Sequence, residues 1–239
     1  MQSEHKELLR TAALEKLEIE LSDTQIEQFS TYTDLLLEWN EKVNLTSIVE
    51  PQEIVIKHFL DSLTLGKFVQ GGRLADIGTG AGFPGIPLKI LHPGLELYLV
   101  DSLAKRLDFL NMVIETLNLD LVQTVHARAE DFARDIKYRE SFDCVTSRAV
   151  ARLPILLEYA VPLLKVNAHF LAAKGSQVDE EVNESAKALG VLGAEIKEIA
   201  RFTLGAEAEH RAIVIVEKTS NTPKEYPRKA GTPAKKPLI

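Results

Sequence analysis

Residues Leu74 to Gly85 (LADIGTGAGFPG) set an apolar run and an aspartate ahead of Gly78, Gly80 and Gly82 at alternate positions, with a helix expected from about Pro84. So little side chain lets a ligand come close to the backbone. A tight strand-to-helix turn alone needs fewer glycines, so a bound group is the stronger reading. Gly80, Gly82 and Gly85 also satisfy G-x-G-x-x-G, and Asp101 follows Gly80 by 21 residues. That is near the interval to the ribose-binding acid of a dinucleotide site. The spacing therefore admits a nicotinamide dinucleotide as well as other adenosine ligands.

Electrostatics separates the candidates better than spacing does. Asp76 stands two residues before Gly78, where it would repel a pyrophosphate. S-adenosylmethionine (AdoMet) instead brings a sulfonium and an ammonium against one carboxylate, and an acid suits it. On this reading Asp76 faces the methionine end, directly or through water, and Asp101 accepts from the ribose hydroxyls. The plain alternative for either aspartate is a strand-end cap or a surface acid. Further along, HARAEDF (His126 to Phe132) puts Ala129 and Glu130 where the adenine edge would lie. A helix N-cap role for Glu130 or Asp131 fits the local sequence equally well. FDCVTSRAVA (Phe142 to Ala151) brings Ser147 and Arg148 to the mouth of the site, and a buried arginine there is expected to meet an anion.

The methyl acceptor can be narrowed by its chemistry. Methylation at pyrimidine C5 needs a thiolate, and the single cysteine, Cys144, sits inside an apolar strand pattern where it reads as core packing. Exocyclic amine methylation is marked by an Asn/Asp-Pro-Pro-aromatic turn, whereas the chain here runs Thr146-Ser147-Arg148-Ala149. Hydroxyl methylation needs a base, for which Lys174 is the candidate. Purine N7 carries a free lone pair at neutral pH, so alignment and desolvation alone would serve.

The elements that position these residues follow from periodicity. Residues 1–70 read as helical: Ser22 with Gln25 has capping-box spacing, and Ile26, Phe29, Tyr32, Leu36, Trp39 and Val43 recur at steps of three and four. A second helical stretch runs over about 52–69. Strands are expected at 73–77, 96–100, 121–126, 142–147, 168–173, 194–202 and 211–217, with helical patterns at 104–117 and 154–165. Alternating β and α implies an α/β fold, a parallel sheet with helices on both faces, under an N-terminal helical cap. Given the AdoMet reading, this is a Rossmann-like class I methyltransferase sheet. The organisation is then a cap (1–70), a methyltransferase domain (71–218) and a tail (219–239).

The net charge of −7 is uneven. Residues 1–70 hold six Lys and Arg against thirteen Asp and Glu, whereas residues 219–239 hold five against one, with Pro223, Pro227, Pro233 and Pro237. That composition suggests an extended, weakly structured tail. It is either a solvated segment or a phosphate-binding arm whose deletion weakens RNA binding and spares AdoMet. The longest apolar runs are about five residues, far short of a membrane span. The acidic start lacks the pattern of a secretory signal, and one cysteine allows neither an internal disulfide nor a thiolate zinc site. A cytoplasmic monomer without a metal is expected.

Six segments carry a family likeness: EWNEKVNLTSI (Glu38 to Ile48), KHFLDSL (Lys57 to Leu63), DIGTGAGFPGIPL (Asp76 to Leu88), VDSLAKRLDFL (Val100 to Leu110), RAEDF (Arg128 to Phe132) and SRAVA (Ser147 to Ala151). With them the chain resembles, over nearly its whole length, the 16S ribosomal RNA (guanine-N7) methyltransferase G family, also called glucose-inhibited division protein B. The YPRKAGTPAKKPL tail (Tyr226 to Leu238) resembles that of one branch. The resemblance implies methyl transfer from AdoMet to N7 of a guanine in 16S rRNA, free or in the small ribosomal subunit. It places AdoMet contacts on Gly78, Phe83, Asp101, Ala129, Glu130 and Arg148, beside Asp76, Gly80 and Gly82 of the turn. For the RNA it implies a face at Asn44, Thr46, His58 and Asp61, with Lys174, Arg201 and Arg211 as further candidates and Arg228 and Lys229 in the tail. It implies no catalytic base. Trp39, Leu45 and Phe59 are expected to pack the cap on the sheet, and His58 has the alternative of a satisfied buried polar group. Two other readings stay open: a nicotinamide-dependent oxidoreductase on the same sheet, disfavoured by Asp76 and by an expected hairpin around Ile196 and Ile213, and a non-catalytic RNA-binding protein that keeps the fold.

Overall fold

The computed structural model of the chain describes residues 1–69, 71–204 and 209–239. Its seven strands are β1 Arg73–Ile77, β2 Glu96–Asp101, β3 Val122–His126, β4 Phe142–Arg148, β5 Leu164–Lys174, β6 Ala194–Leu204 and β7 Glu209–Lys218. They form one sheet in the order β3-β2-β1-β4-β5-β7-β6. The first five pair in parallel, and β7 runs antiparallel to both β5 and β6. β1 buries four of its five residues, as a strand covered on both faces must. The edge strand β3 keeps Gln123 and His126 exposed. Strand order reverses between β1 and β4, so the connections leaving their carboxyl ends diverge and open a crevice there.

The helices are α1 Ser3–Leu17, α2 Asp23–Asn40, α3 Pro51–Glu53, α4 Asp61–Leu63, α5 Gly85–Leu91, α6 Ala104–Thr116, α7 Ala129–Arg134, α8 Leu153–Ala160, α9 Val178–Asn183, α10 Ala186–Leu192 and α11 Thr232–Lys235. Between α3 and α4 the chain winds as a π-helix over Ile54–Leu60, an insertion common where a helix serves a site. Ser22 and Gln25 form the reciprocal capping box that their spacing predicts. The Gln25 amide also donates to the Ile90 carbonyl at 2.8 Å, fixing α2 to the end of α5. Helix α2 stops at Asn40, whose Oδ1 accepts from the backbone N–H of Leu45 and Thr46.

Strand alternation divides the core. Leu74, Leu97 and Leu99 pack with Phe29, Leu36, Phe59 and Leu63 of the cap. Ala75, Ile77, Tyr98 and Val100 pack on the other face with Leu153, Leu156 and Leu157 of α8. The cap thus shares its core with one face of the sheet. Trp39 packs on Phe109 of α6, with ring centroids 5.8 Å apart, and Leu45 lies against the same core.

Two sequence expectations need correcting. The pattern at 154–165 is not one helix: α8 ends at Ala160, a 3-10 turn carries Pro162, and β5 starts at Leu164. Proline has no N–H to continue the α-helical ladder. The tail is not an extended arm either. Pro227, Pro233 and Leu238 are buried, and α11 forms within it. Arg139 donates to the carbonyls of Thr222, Pro223 and Tyr226, while Arg228 pairs with the fully buried Glu158.

Gly82 shows how closely cap and turn fit. At its φ of +97°, an added Cβ would lie 2.7 Å from Tyr32 Oη, 2.8 Å from Ile86 Cγ1 and 2.8 Å from Leu110 Cδ2. Gly82→Ala is therefore expected to lower the unfolding free energy by ~2–4 kcal/mol in urea titrations. Gly94→Ala, where nothing lies within 4 Å, should change it by less than ~0.5 kcal/mol.

Candidate active site

Asp76, the penultimate residue of β1, lies on the cap side of the sheet with no exposed surface. Its Oδ2 accepts from Thr79 Oγ1 at 2.7 Å and from the Gly85 N–H at 3.0 Å, closing the glycine turn onto the strand. Its Oδ1 is buried with no hydrogen-bond partner. Burial pushes the carboxyl up to about 6, against the hydrogen bonds from Thr79 and Gly85 and the charge of Arg148, while Asp101 adds to the rise. At neutral pH it is therefore an anion with one oxygen unpaired, which favours a cationic donor beside it.

The turn is crowded from both sides. Tyr32 of α2 donates its hydroxyl to the Ala81 carbonyl and stacks on Phe83 with centroids 5.3 Å apart. At Gly78, φ +67°, the place of a Cβ is taken by Val150, 2.5 Å away. Gly78 and Gly82 thus hold protein side chains against the backbone.

Beyond the carboxyl ends of β1, β2 and β3 lies a cavity of about 380 Å³ lined by Gly78, Asp101, Ala129, Glu130 and Tyr159, with Gly231 and Ala234 of the tail. Asp101 Oδ2 accepts from the Gly80 N–H at 3.0 Å and from Arg106 at 3.2 Å, and Oδ1 accepts from the Leu103 N–H at 2.9 Å. One acceptor position on Oδ1 is left for a hydroxyl. Glu130 is 5% exposed and takes the Gly231 N–H at 2.7 Å. Helix α7 has Arg128 at its N-cap with no side-chain cap, so neither Glu130 nor Asp131 caps it.

A second cavity, about 550 Å³, opens between the cap and the ends of β4, β5 and β7. Lys57, His58 and Asp61 enter it from the π-helical stretch and α4, and Arg148, Lys174, Arg211 and Phe202 from the sheet. Ala149 and Val150 line both cavities and form the partition between them. The anion that Arg148 meets is the protein's own: Nη1 donates to Asp61 at 2.7 Å and to the Lys57 carbonyl at 3.2 Å. Arg211 approaches the other Asp61 oxygen at 3.3 Å. Arg148 Nη2 donates to His58 Nδ1 at 3.1 Å, because a guanidinium has only donors. His58 Nε2–H then donates to Thr46 Oγ1 at 2.9 Å. Burial, then the charge of Arg148, pushes His58 down to about 3, so the imidazole is neutral. Lys174, lowered by burial, pairs with Glu181 at 2.7 Å and donates to the Ala151 carbonyl.

The structure sorts the sequence candidates into groups. Gly78, Asp101, Ala129 and Glu130 share the first cavity; His58, Asp61, Arg148, Lys174 and Arg211 share the second, with Thr46 bonded to His58. Arg148, expected at the cofactor, lines the second cavity and is held by Asp61 and His58. Asp76, Gly80, Gly82 and Phe83 build the turn. Asn44 is exposed on the loop after α2, and Arg201 pairs with Asp179 at 2.5 Å, outside both cavities. Lys229 is exposed, and Arg228 is held by Glu158. Sequence reasoning missed Lys57, Val150, Tyr159, Gly231 and Ala234. Lys57 opens the KHFLDSL segment and Val150 lies within SRAVA, but nothing local marks the tail residues. Among the described residues, no group of three His, Cys, Asp or Glu could hold a metal ion, and no helix is long and apolar enough to cross a membrane.

Comparison with known proteins agrees with this layout. Residues 25–213 match the GidB family, described as rRNA small subunit methyltransferase G. The chain is 74% identical over 239 residues to the Ribosomal RNA small subunit methyltransferase G of Desulfitobacterium hafniense (strain Y51), covering 100% of both. It is 49% identical over 232 residues to that of Lactococcus lactis subsp. cremoris (strain MG1363), covering 95% of this chain and 97% of the relative. A SAM dependent methyltransferase from Aquifex aeolicus shares the fold, with a TM-score of 0.54 and 16% identity over 71% of this chain and 94% of that one. P. horikoshii TYW2, solved in complex with MeSAdo, gives 0.53 and 14% over 67% and 62%. With a cap, a turn and two cavities arranged on this sheet and a full-length relative at 74% identity, the chain belongs to the rRNA small subunit methyltransferase G family.

Proposed function

We propose that the protein transfers a methyl group from AdoMet to N7 of a guanine in 16S rRNA, presented free or in the small ribosomal subunit. The observation that carries the cofactor assignment is the orphaned Asp76 Oδ1 at the end of β1. A buried acceptor without a donor costs ~1–3 kcal/mol, and the ammonium of a methionine moiety supplies the donor and the opposite charge. Asp101 would hold the ribose, and Ala129 and Glu130 the adenine edge. Bound there, AdoMet supplies an electrophilic methyl on a sulfonium.

The second cavity suits the acceptor. Its potential bases are engaged: the basic nitrogen of His58 accepts a hydrogen bond from Arg148, Lys174 is held by Glu181, and Asp61 lies between two guanidiniums. Guanine N7 needs no deprotonation, so what it asks of the protein is alignment and exclusion of water. A base alkylated there gains positive charge, which nearby cations oppose. Lys57, Arg211 and the exposed Lys229 are therefore assigned to phosphates, and the ring of Phe202 to stacking on the base. The neutral His58–Phe83 stack, 4.4 Å between centroids, supports Arg148 from below.

Three outcomes test this reading. Labelled methyl from AdoMet should appear in small-subunit rRNA; a protein that binds AdoMet and labels no form of that RNA contradicts the assignment. AdoMet affinity should fall as pH drops through about 6, where Asp76 takes up a proton and its attraction for a cation is lost. In Asp76→Asn, binding should be weaker by roughly 10- to 100-fold and flat between about pH 5 and 7, as titration calorimetry would show. Finally, a thiol-alkylating reagent at neutral pH should leave transfer unchanged, because burial pushes the Cys144 thiol up to about 12. Inactivation through Cys144 would reopen chemistry based on a thiolate.

A further inference from the structure

The basic tail touches the first cavity, not the solvent-facing RNA side alone. Gly231 and Ala234 line that cavity, and the Gly231 N–H is bonded to Glu130, itself in the cavity wall. The tail is anchored one helix away. Glu158 of α8 has no exposed surface, and it accepts from the Arg228 backbone N–H at 2.7 Å, from Nε at 2.9 Å and from Nη2 at 2.6 Å. A buried carboxylate stripped of this partner would be strongly disfavoured, so the contact pins the chain three residues before Gly231. The next residue of α8, Tyr159, lines the same cavity. Neighbouring positions on one helix thus hold the tail and face the ligand space.

Resting on the assignment of this cavity to AdoMet, we propose that residues 228–234 form a wall of the cofactor site, with Gly231 orienting Glu130 toward the adenine edge. The tail is then a positioning segment for the cofactor, and Arg228 is its anchor rather than a phosphate ligand. Of the tail's own charges, Lys224, Lys229, Lys235 and Lys236 remain for RNA, all exposed. Removing the tail is expected to impair AdoMet binding, the reverse of what its composition suggests.

The full-length wild-type protein tests this by limited trypsin digestion with peptide mass analysis, beside calorimetric titration of AdoMet. A ligand that binds only the form with the wall in place suppresses opening of the tail. Cleavage after Lys229 and after Lys235 should slow at least about tenfold with AdoMet at about a hundred times its Kd. Cleavage after the exposed Lys42, which lines neither cavity, should change less than about twofold. Full-length Arg228→Ala should bind AdoMet about tenfold or more weakly, with melting monitored so that unfolding is not mistaken for lost affinity. Wild-type protein that binds AdoMet while the tail sites are cut at an unchanged rate overturns the wall and leaves the cavity assignment standing. Wild-type protein that binds no AdoMet overturns both.

Discussion

The carboxylate of Asp76 is the interaction on which the rest of the site depends. It is buried near the end of the interior strand β1, beside the reversal of strand order, and one of its oxygens ties down the glycine turn through Thr79 and Gly85. An anion in such a place is held up by desolvation and relieved by hydrogen bonds. Its second oxygen is buried without a hydrogen-bond partner. Because the turn is bare, the cap can reach it: Tyr32 bonds to Ala81, and its ring lies against Phe83. Val150 closes over Gly78 from the other side. The absence of side chains lets the cap and the β4 loop lock the turn.

A polar seam joins the cap to the sheet beside the second cavity. Arg148 at the end of β4 is shared among Asp61, His58 and the Lys57 carbonyl, all on the irregular helix of the cap. The π-helical stretch keeps Ile54, Val55, Phe59 and Leu60 in the core while Lys57 and His58 border the cavity. The two cavities meet at Ala149 and Val150. A methyl donor on one side and a base on the other would therefore be separated by a short backbone segment, with φ of +56° at Ala149, and transfer becomes a matter of placement.

Strands, the capping box and the cap's apolar face were legible because each rests on local periodicity or spacing. The seven strands overlap the segments that alternation and apolar runs mark, β5 starting earlier than expected, and Ser22 and Gln25 make the bonds their interval predicts. Residues at strand ends were legible for a related reason: in such a sheet the site must lie beyond them. What escaped is pairing across long stretches of chain. Composition described residues 219–239 as a solvated arm, yet Arg228 and Glu158 are 70 positions apart and Gly231 and Glu130 are 101 apart. Nothing local distinguishes an arginine that meets a buried glutamate from one that meets a phosphate. Gly82 is a further long-range case, its bareness making room for Tyr32, which lies 50 positions earlier.

The central claim is that this site aligns a nucleophile that is already basic, without taking a proton from it. The most direct measurement is the identity of the labelled nucleoside after single-turnover transfer from AdoMet to small-subunit rRNA, digestion and mass analysis. The account predicts N7-methylguanosine as the product, accumulating at a single position. Label on a ribose hydroxyl, a pyrimidine carbon or an exocyclic amine would require a base or a thiolate that this cavity does not offer, and would contradict it.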